Sequence, residues 1–362
     1  MTPRAAPFPR SPRRTRHRIA GSLAALLTLT VTACSGAPAA GPTDSASGAP
    51  ASGSAAGRET GTAASAAAGF PVTAGFPVTV DSCGRTYTYQ RPPARVVLGF
   101  PRTLETLDAL GVGGSAYGYT LGDYDALPAG YPAGLVEVSP DYAPAREAMI
   151  AAAPDLYLAN DDGQVNGEGT VSHEDLAGIG TNVYVLGQYC SSGSAPTSLQ
   201  AVYDDIGHLG QIYGIPDRAG ALQDDLQARV AAAAERVSGQ PQRVGFLQAF
   251  DGRVYANGGY PASGILDALG MTNEFADLAG SFTEITPEQA LVRTPDVLFV
   301  LYVGADQEQA AVDGVKAALP NLPAVRADRV YGLDETDFEA GGVTIISALQ
   351  TVADRIAGGS TG

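Results

Sequence analysis

One ordered pattern occurs twice in this chain and constrains its fold more than any other feature. Leu107-Asp-Ala-Leu-Gly111 returns as Leu266-Asp-Ala-Leu-Gly270. Downstream of each copy comes a glutamate, Glu147 or Glu288, then six residues, then Pro-Asp and an apolar run. The runs start after Pro154-Asp155 and after Pro295-Asp296. Helices stopped by Gly and strands introduced by Pro-Asp, repeated in the same order, predict two similar α/β lobes. The fold class expected is two Rossmann-like lobes with parallel sheets, each sheet covered by helices.

Between the copies lies a single long helix. Over residues 217–237 the apolar positions Leu222, Leu226, Val230, Ala233 and Val237 recur at three- and four-residue steps. Pro216 supplies a start and Gly239 a stop. At about 1.5 Å per residue such a helix is roughly 30 Å long, enough to join two lobes as a rigid strut with a ligand cleft between them. The expected organisation is a first lobe over 76–196, connecting helices over 197–240 and a second lobe over 241–362. In the first lobe, residues 78–89 read as a hairpin around Cys83-Gly84, and 95–100, 116–119, 156–159 and 183–186 as strands. In the second, 244–247, 297–301 and 330–333 read as strands, and 345–356 as a closing helix.

The first 34 residues are basic, then apolar over 19–32, then close on Val31-Thr32-Ala33-Cys34. This resembles the lipobox of bacterial lipoprotein precursors, which implies lipidation of Cys34 and a chain anchored by lipid to the outer face of the cell membrane. Residues 35–75 are mostly Ala, Gly, Ser, Pro and Thr and read as a flexible tether. Six arginines and no acidic residue precede Cys34, so their removal takes the net charge from −16 to −22. That acidity excludes nucleic acid and anionic lipid surfaces as partners, because both require cationic protein. Export also places the two remaining cysteines, Cys83 and Cys190, in an oxidising compartment, where a bridge between them is expected.

Much chemistry is missing. After residue 34 only His173 and His208 remain, so a histidine-rich metal site is not expected. Asp162-x-Gln164-x-Asn166-Gly167 has the start of a calcium loop, but the twelfth position is His173 where a bidentate Glu is needed. No Walker loop, no GxGxxG after a strand and no GxSxG elbow occurs. The expectation is a protein that is not an enzyme and carries no resident cofactor or metal. A catalytic lipoprotein using Asp161, Asp162 and Glu168, or a scaffold lipoprotein, are the alternatives from other classes.

Taken in order, several segments resemble the periplasmic binding proteins of the cobalamin and ferric-siderophore class. They are Arg95-Val-Val-Leu, the two Leu-Asp-Ala-Leu-Gly copies, Glu147 to Asp155, Asp205-Ile-Gly-His-Leu-Gly210, Glu288 to Asp296, and Leu322-Pro-Ala-Val325 with Arg329-Val-Tyr331. The resemblance covers roughly residues 78–356, and the placement of Cys83-Gly84 and Cys190 looks like that of actinobacterial members. It implies a monomeric receptor that delivers its ligand to the permease of an ABC transporter. It also implies that Glu147 and Glu288, one per lobe, dock onto arginines of that permease. The ligand implied is a ferric siderophore, with cobalamin or haem as the alternative, so iron would arrive already chelated.

Ligands of open α/β sheets bind beyond the carboxyl ends of the strands. Those ends nominate Phe100, Arg102, Tyr119, Asn160 and Asp161 in the first lobe. In the second they nominate Arg253, Tyr255, Tyr260 and Tyr302. Arginine forks with aromatic rings suit a large anionic, aromatic or hydroxamate chelate, and Arg102 and Arg253 are the leading candidates.

Overall fold

The computed structural model describes residues 75–358, except 122–126, 128–129, 133, 191–197, 241, 251, 279–281 and 305. The signal segment, Cys34 and nearly all of the expected tether lie outside the described residues.

The hairpin of β1 (Val78–Ser82) and β2 (Arg85–Tyr89) forms where the alternation predicts it. Cys83 and Gly84 both adopt positive φ at its turn, 52° and 74°, the backbone that matches the twist of a two-residue hairpin. The first lobe is then a parallel five-stranded sheet in the order β5-β4-β3-β6-β7. Its strands are β3 (Val96–Leu98), β4 (Ala116–Thr120), β5 (Val136–Ser139), β6 (Leu156–Ala159) and β7 (Asn182–Val185). Val96, Val97 and Leu98 are fully buried, as a central parallel strand requires. Helices α1 (Leu104–Ala109), α2 (Arg146–Ala152) and α3 (His173–Gly178) fill the crossovers.

Helix α4 (Gln200–Ile212) leads into α5 (Pro216–Arg236), the long helix. The second lobe is a six-stranded sheet built on β8 (Arg243–Phe250), which returns as a hairpin in β9 (Arg253–Ala256). Helix α6 (Ala262–Ala268) and the short β10 (Thr272–Asn273) follow, then β11 (Thr283–Ile285) and α7 (Pro287–Leu291). The remaining elements are β12 (Val297–Tyr302), α8 (Glu308–Ala318), α9 (Pro323–Arg326), β13 (Val330–Asp334), α10 (Glu335–Glu339) and α11 (Val343–Gly358). Strands β10, β8, β12 and β13 pair in parallel, whereas β9 alone is reversed and pairs antiparallel with both β8 and β11. This sheet is therefore mixed where a parallel one was expected. The cause is local: the turn at Gly252 (φ 74°) sends the chain straight back along β8. Only two residues of β10 then pair with the start of β8.

The repeated motifs perform the same physical task in each lobe. The Asp155 carboxylate accepts the Arg95 N–H at 2.9 Å, and the Asp155 N–H donates to the Arg95 carbonyl at 2.9 Å. Asp296 does the same with Arg243, at 2.9 and 2.7 Å. Each aspartate thus locks the starts of two neighbouring strands together. Gly111 (φ 70°) and Gly270 (φ 68°) end α1 and α6, and the next N–H, of Val112 or Met271, reaches back 2.8 Å to the carbonyl of Leu107 or Leu266. That is the Schellman closure, which needs a residue without Cβ strain at positive φ.

Helix α5 ties the lobes. Arg218 donates to the Leu110 carbonyl of the first lobe at 2.9 Å, while Arg229 donates to Gln350 of α11 at 2.7 Å. Leu226, Ala233 and Val237 are buried as the periodicity predicts; Leu222 and Val230 are partly buried against the same core. One apolar cluster runs from Leu98 and Leu107 through α4 and α5 to Phe246, Phe299 and Leu349.

Cys83 and Cys190 form a disulfide with Cα atoms 5.3 Å apart. It pins the hairpin turn to the end of the first sheet, beside the Val185 N–H that donates to Ser82 at 2.8 Å. The bridge closes a loop with a sequence separation of 107, and loop entropy alone makes Cys83→Ala with Cys190→Ala less stable by about 4–5 kcal/mol. Denaturant unfolding of wild type and variant measures this, and equal midpoints would refute it.

Candidate ligand cleft

The carboxyl ends of the strands in the two lobes meet. Arg102, just after β3, forms ion pairs with Glu105 of α1 at 2.7 Å and with Asp337 of α10, across the lobe boundary. Tyr189, after β7, donates to the Glu339 carbonyl at 2.9 Å, and Tyr260 donates to Gln188 at 3.3 Å. The Val343 N–H donates to Thr106 at 3.1 Å. Gly341 and Gly342 make this approach possible. A Cβ on either would lie 2.0 Å from Gln188 Nε2 or 2.1 Å from Thr106 Oγ1, and both have positive φ.

Beneath this seam the first lobe carries a polar floor. Gln164 donates to the carbonyls of Gly99 (2.7 Å) and Tyr142 (2.6 Å) and accepts the Asn160 N–H at 2.7 Å. The Asn160 amide donates to the Tyr142 hydroxyl at 3.0 Å, and that hydroxyl donates to Asp161. Asp161 also accepts the N–H groups of Gly163 and Gln164, so its carboxylate caps the turn over Asp162–Val165. Burial raises its pKa, while Tyr142 and the two N–H groups oppose the rise.

The candidate residues separate accordingly. Arg102, Asn160 and Tyr260 lie at or directly beneath the lobe junction. Arg102 is not a free anion fork, because each lobe supplies it with a carboxylate. Asp161 serves the turn, and Tyr119 is buried in the core behind β4. Phe100 is half-buried at the start of the turn over Pro101–Thr103. Arg253 and Tyr255 belong to β9 rather than to a loop; Arg253 is exposed and pairs with Glu284 of β11 at 3.2 Å. Tyr302 ends β12, and its hydroxyl pKa is raised by partial burial and by Glu308 and Asp334. Glu147 and Glu288 are exposed in the first turns of α2 and α7.

Glu105, Tyr142, Gln164, Gln188, Tyr189 and Asp337 were not among the sequence candidates. Gln188, Tyr189 and Asp337 follow strands that were recognised, over 183–186 and 330–333, so the strand-end rule applied there too would have reached them. Tyr142 carried no comparable signal, because β5 is short and half-exposed. Gln164 lies in the turn after β6, where the calcium-loop spacing points to a different chemistry. Among the described residues no group of three or more His, Cys, Asp or Glu is arranged to hold a metal ion. A shallow depression lined by Arg85, Tyr87, His173 and Glu174 lies on the hairpin, apart from these strand ends.

The turn that carries Gln188 and Tyr189 is held from below by Asp205. This carboxylate is buried on α4 and accepts the Gly187 N–H at 2.9 and 3.1 Å and the Tyr184 hydroxyl at 2.7 Å. His208 lies 2.9 Å from the same hydroxyl, a structural place for that histidine.

The sequence profile of a family described as periplasmic binding protein matches residues 96–336, and the chain belongs to that family. A protein of the ABC-type Fe3+-hydroxamate transport system from Saccharomonospora viridis is 30% identical, with a TM-score of 0.65 over 78% of this chain and 99% of its own. The periplasmic vitamin B12-binding protein of Vibrio cholerae, 21% identical, shares the fold with a TM-score of 0.57 over 75% of this chain and 99% of its own. The vitamin B12-binding protein of Yersinia pestis (strain Pestoides F) is 27% identical over 214 residues, 58% of this chain and 69% of the relative. The family and these relatives are described as binding or transport proteins, and the chain is not an enzyme.

Burial raises the Asp205 carboxyl from its ordinary 3.8 to about 7, against the opposing pull of Gly187 and Tyr184 and with a small push from Asp204. A carboxyl raised in this way holds its proton more tightly in the folded chain than in the unfolded one. Its contribution to stability is greatest below the unfolded value, falls as pH rises, and levels off above about pH 7. Asp205→Asn removes the titration. Its stability deficit against wild type is therefore smaller at roughly pH 8 than at roughly pH 5 in denaturant unfolding. A deficit that stays constant or grows with pH would refute this.

Proposed function

We propose that the protein is the extracytoplasmic receptor of an ABC importer, capturing a ferric siderophore between its lobes and presenting it to the membrane permease. The observation that carries the reading is the meeting of the two sets of strand ends, at Arg102–Asp337, Gln188–Tyr260 and Tyr189–Glu339, beside a helix that fixes their separation. The hydroxamate transport relative, similar along 99% of its own length, supports a siderophore over cobalamin or haem. Phe100, Arg102, Asn160, Tyr255, Tyr260 and Tyr302 are the first-choice contacts, with Tyr119, Asp161 and Arg253 supporting the surface around them. Lobe movement is small, because a helix bends less readily than an extended hinge. Residues 1–34 act as the lipoprotein signal, Cys34 carries the lipid, and 35–75 tether the lobes to the outer face of the membrane.

Glu147 and Glu288 contact arginines of the permease. Both are exposed near helix N-termini, where the dipole favours a carboxylate. The Glu288 pKa is lowered by its own backbone N–H and by Thr286. One exposed ion pair is worth about 0–1 kcal/mol, so the two together set orientation and encounter rate more than affinity.

Two outcomes test the proposal. The purified protein retains a ferric siderophore stoichiometrically on size-exclusion chromatography, read by colour, since the chain has no Trp for fluorescence. Passage of every ferric siderophore, with retention of cobalamin or haem, would reassign the ligand. Separately, Glu147→Ala with Glu288→Ala abolishes uptake in cells and leaves ligand affinity unchanged in solution; normal uptake by the double variant would exclude docking through these residues.

A further inference from the structure

We propose that the cleft selects ferric chelates without net negative charge, the trihydroxamate class, and that Glu105 and Asp337 impose this selectivity by neutralising Arg102. The inference rests on the siderophore reading and narrows it.

A tris-catecholate or polycarboxylate ferric chelate is anionic and needs unpaired cations in its site, typically guanidinium forks. The described strand-end segments offer two arginines. Arg102 has a side chain 18% exposed and carries one positive charge against the carboxylates of Glu105 and Asp337. Arg253 is 61% exposed and occupied by Glu284. The other charged residues in and just after these strand ends are acidic: Asp161, Asp162, Asp334, Glu335 and Glu339. The chain's one lysine, Lys316, pairs with Asp328, which precedes β13 and so lies at the opposite end of that strand. An incoming anion would displace Asp337 or Glu105 from Arg102 and then sit beside the displaced carboxylate. Like charges brought together in a partly buried site oppose binding strongly.

A second observation points to the ligand's chemistry. The Asn160 side-chain carbonyl and the Gln188 amide nitrogen, in residues 5% and 2% exposed, are buried without a hydrogen-bond partner, as is Arg102 Nε, whose guanidinium charge the two carboxylates already balance. Asn160 follows β6, and Gln188 follows β7 at the seam with Tyr260. Buried polar atoms are rarely left unpaired. One neutral acceptor and one neutral donor suit the amide N–H and carbonyl groups of a hydroxamate backbone, whose three hydroxamates already cancel the ferric charge. A pendant ammonium on such a chelate would add attraction to the surrounding carboxylates.

Equilibrium dialysis of the purified protein against three ferric chelates tests this. They are a linear trihydroxamate bearing an ammonium, a neutral trihydroxamate and a trianionic tris-catecholate. Both hydroxamates bind at least about tenfold more tightly than the catecholate. In Glu105→Gln with Asp337→Asn the gap narrows, chiefly because the catecholate binds better; a thermal melt verifies folding, and Asp337→Asn alone serves if the double variant does not fold. Equal or tighter catecholate binding by wild type overturns the inference and leaves the siderophore reading standing. An undiminished gap in the folded variants overturns the role of the two carboxylates. Failure of all three chelates, with cobalamin or haem retained, overturns the siderophore reading itself.

Discussion

The packing of α5 against both lobes is the constraint on which the rest of the structure depends. The helix must lie close to α4 and α11 at once, and small residues allow it. A Cβ on Gly210 would fall 2.3 Å from the Cβ of Ala219, so α4 and α5 approach more closely than any larger pair permits. Ala233 and Leu226 are fully buried further along, and burial of a side chain such as Leu226 contributes about 1.5–3 kcal/mol. One apolar cluster continues through α5 from the first sheet to the second, so separating the lobes would open that core.

Around this strut the two lobes use the same local devices and then diverge. Asp155 and Asp296 clamp strand starts, and Gly111 and Gly270 close helices, with matching partners and nearly matching distances. The divergence lies in the strand after the first helix. In the first lobe it is β4, five residues long; in the second it is β10, two residues long, with the β8–β9 hairpin pairing along the rest of β8. The groups at the lobe junction differ too. The first lobe contributes neutral amides and hydroxyls from Asn160, Gln164, Gln188 and Tyr142, together with Arg102, Glu105 and Asp161. The second contributes carboxylates from Asp334, Glu335 and Asp337.

The local and periodic parts of this fold were legible in the sequence. The hairpin, β3, β4, β6, β7, α5, β12, β13 and the closing helix all fall within a few residues of their expected places, because apolar period and turn chemistry are local properties. Helix α8 also carries a readable pattern in Val312, Val315 and Leu319, all buried. Strands β9, β10 and β11 carried little signal, since two to four residues show no reliable period and their stability comes from the neighbours they pair with.

The strand-end rule named Arg102 and Tyr260, which make contacts across the lobe junction, and Asn160, which bonds to Tyr142 and Gln164 within the first lobe. It could not say that Arg102 is held by one carboxylate from its own helix and another 235 residues away in sequence. Nor could it say that Asp161 is consumed by a turn, or that Tyr119 points into the core rather than the cleft. The sequence by itself determined the duplicated lobes, the strut between them and the acidity of the chain, all of which rest on neighbours within a turn or a strand and on composition. Only the tertiary structure decided which charges are free and which are spent. Ionic pairing falls off within a few ångströms, and which groups come that close is set by how distant segments pack.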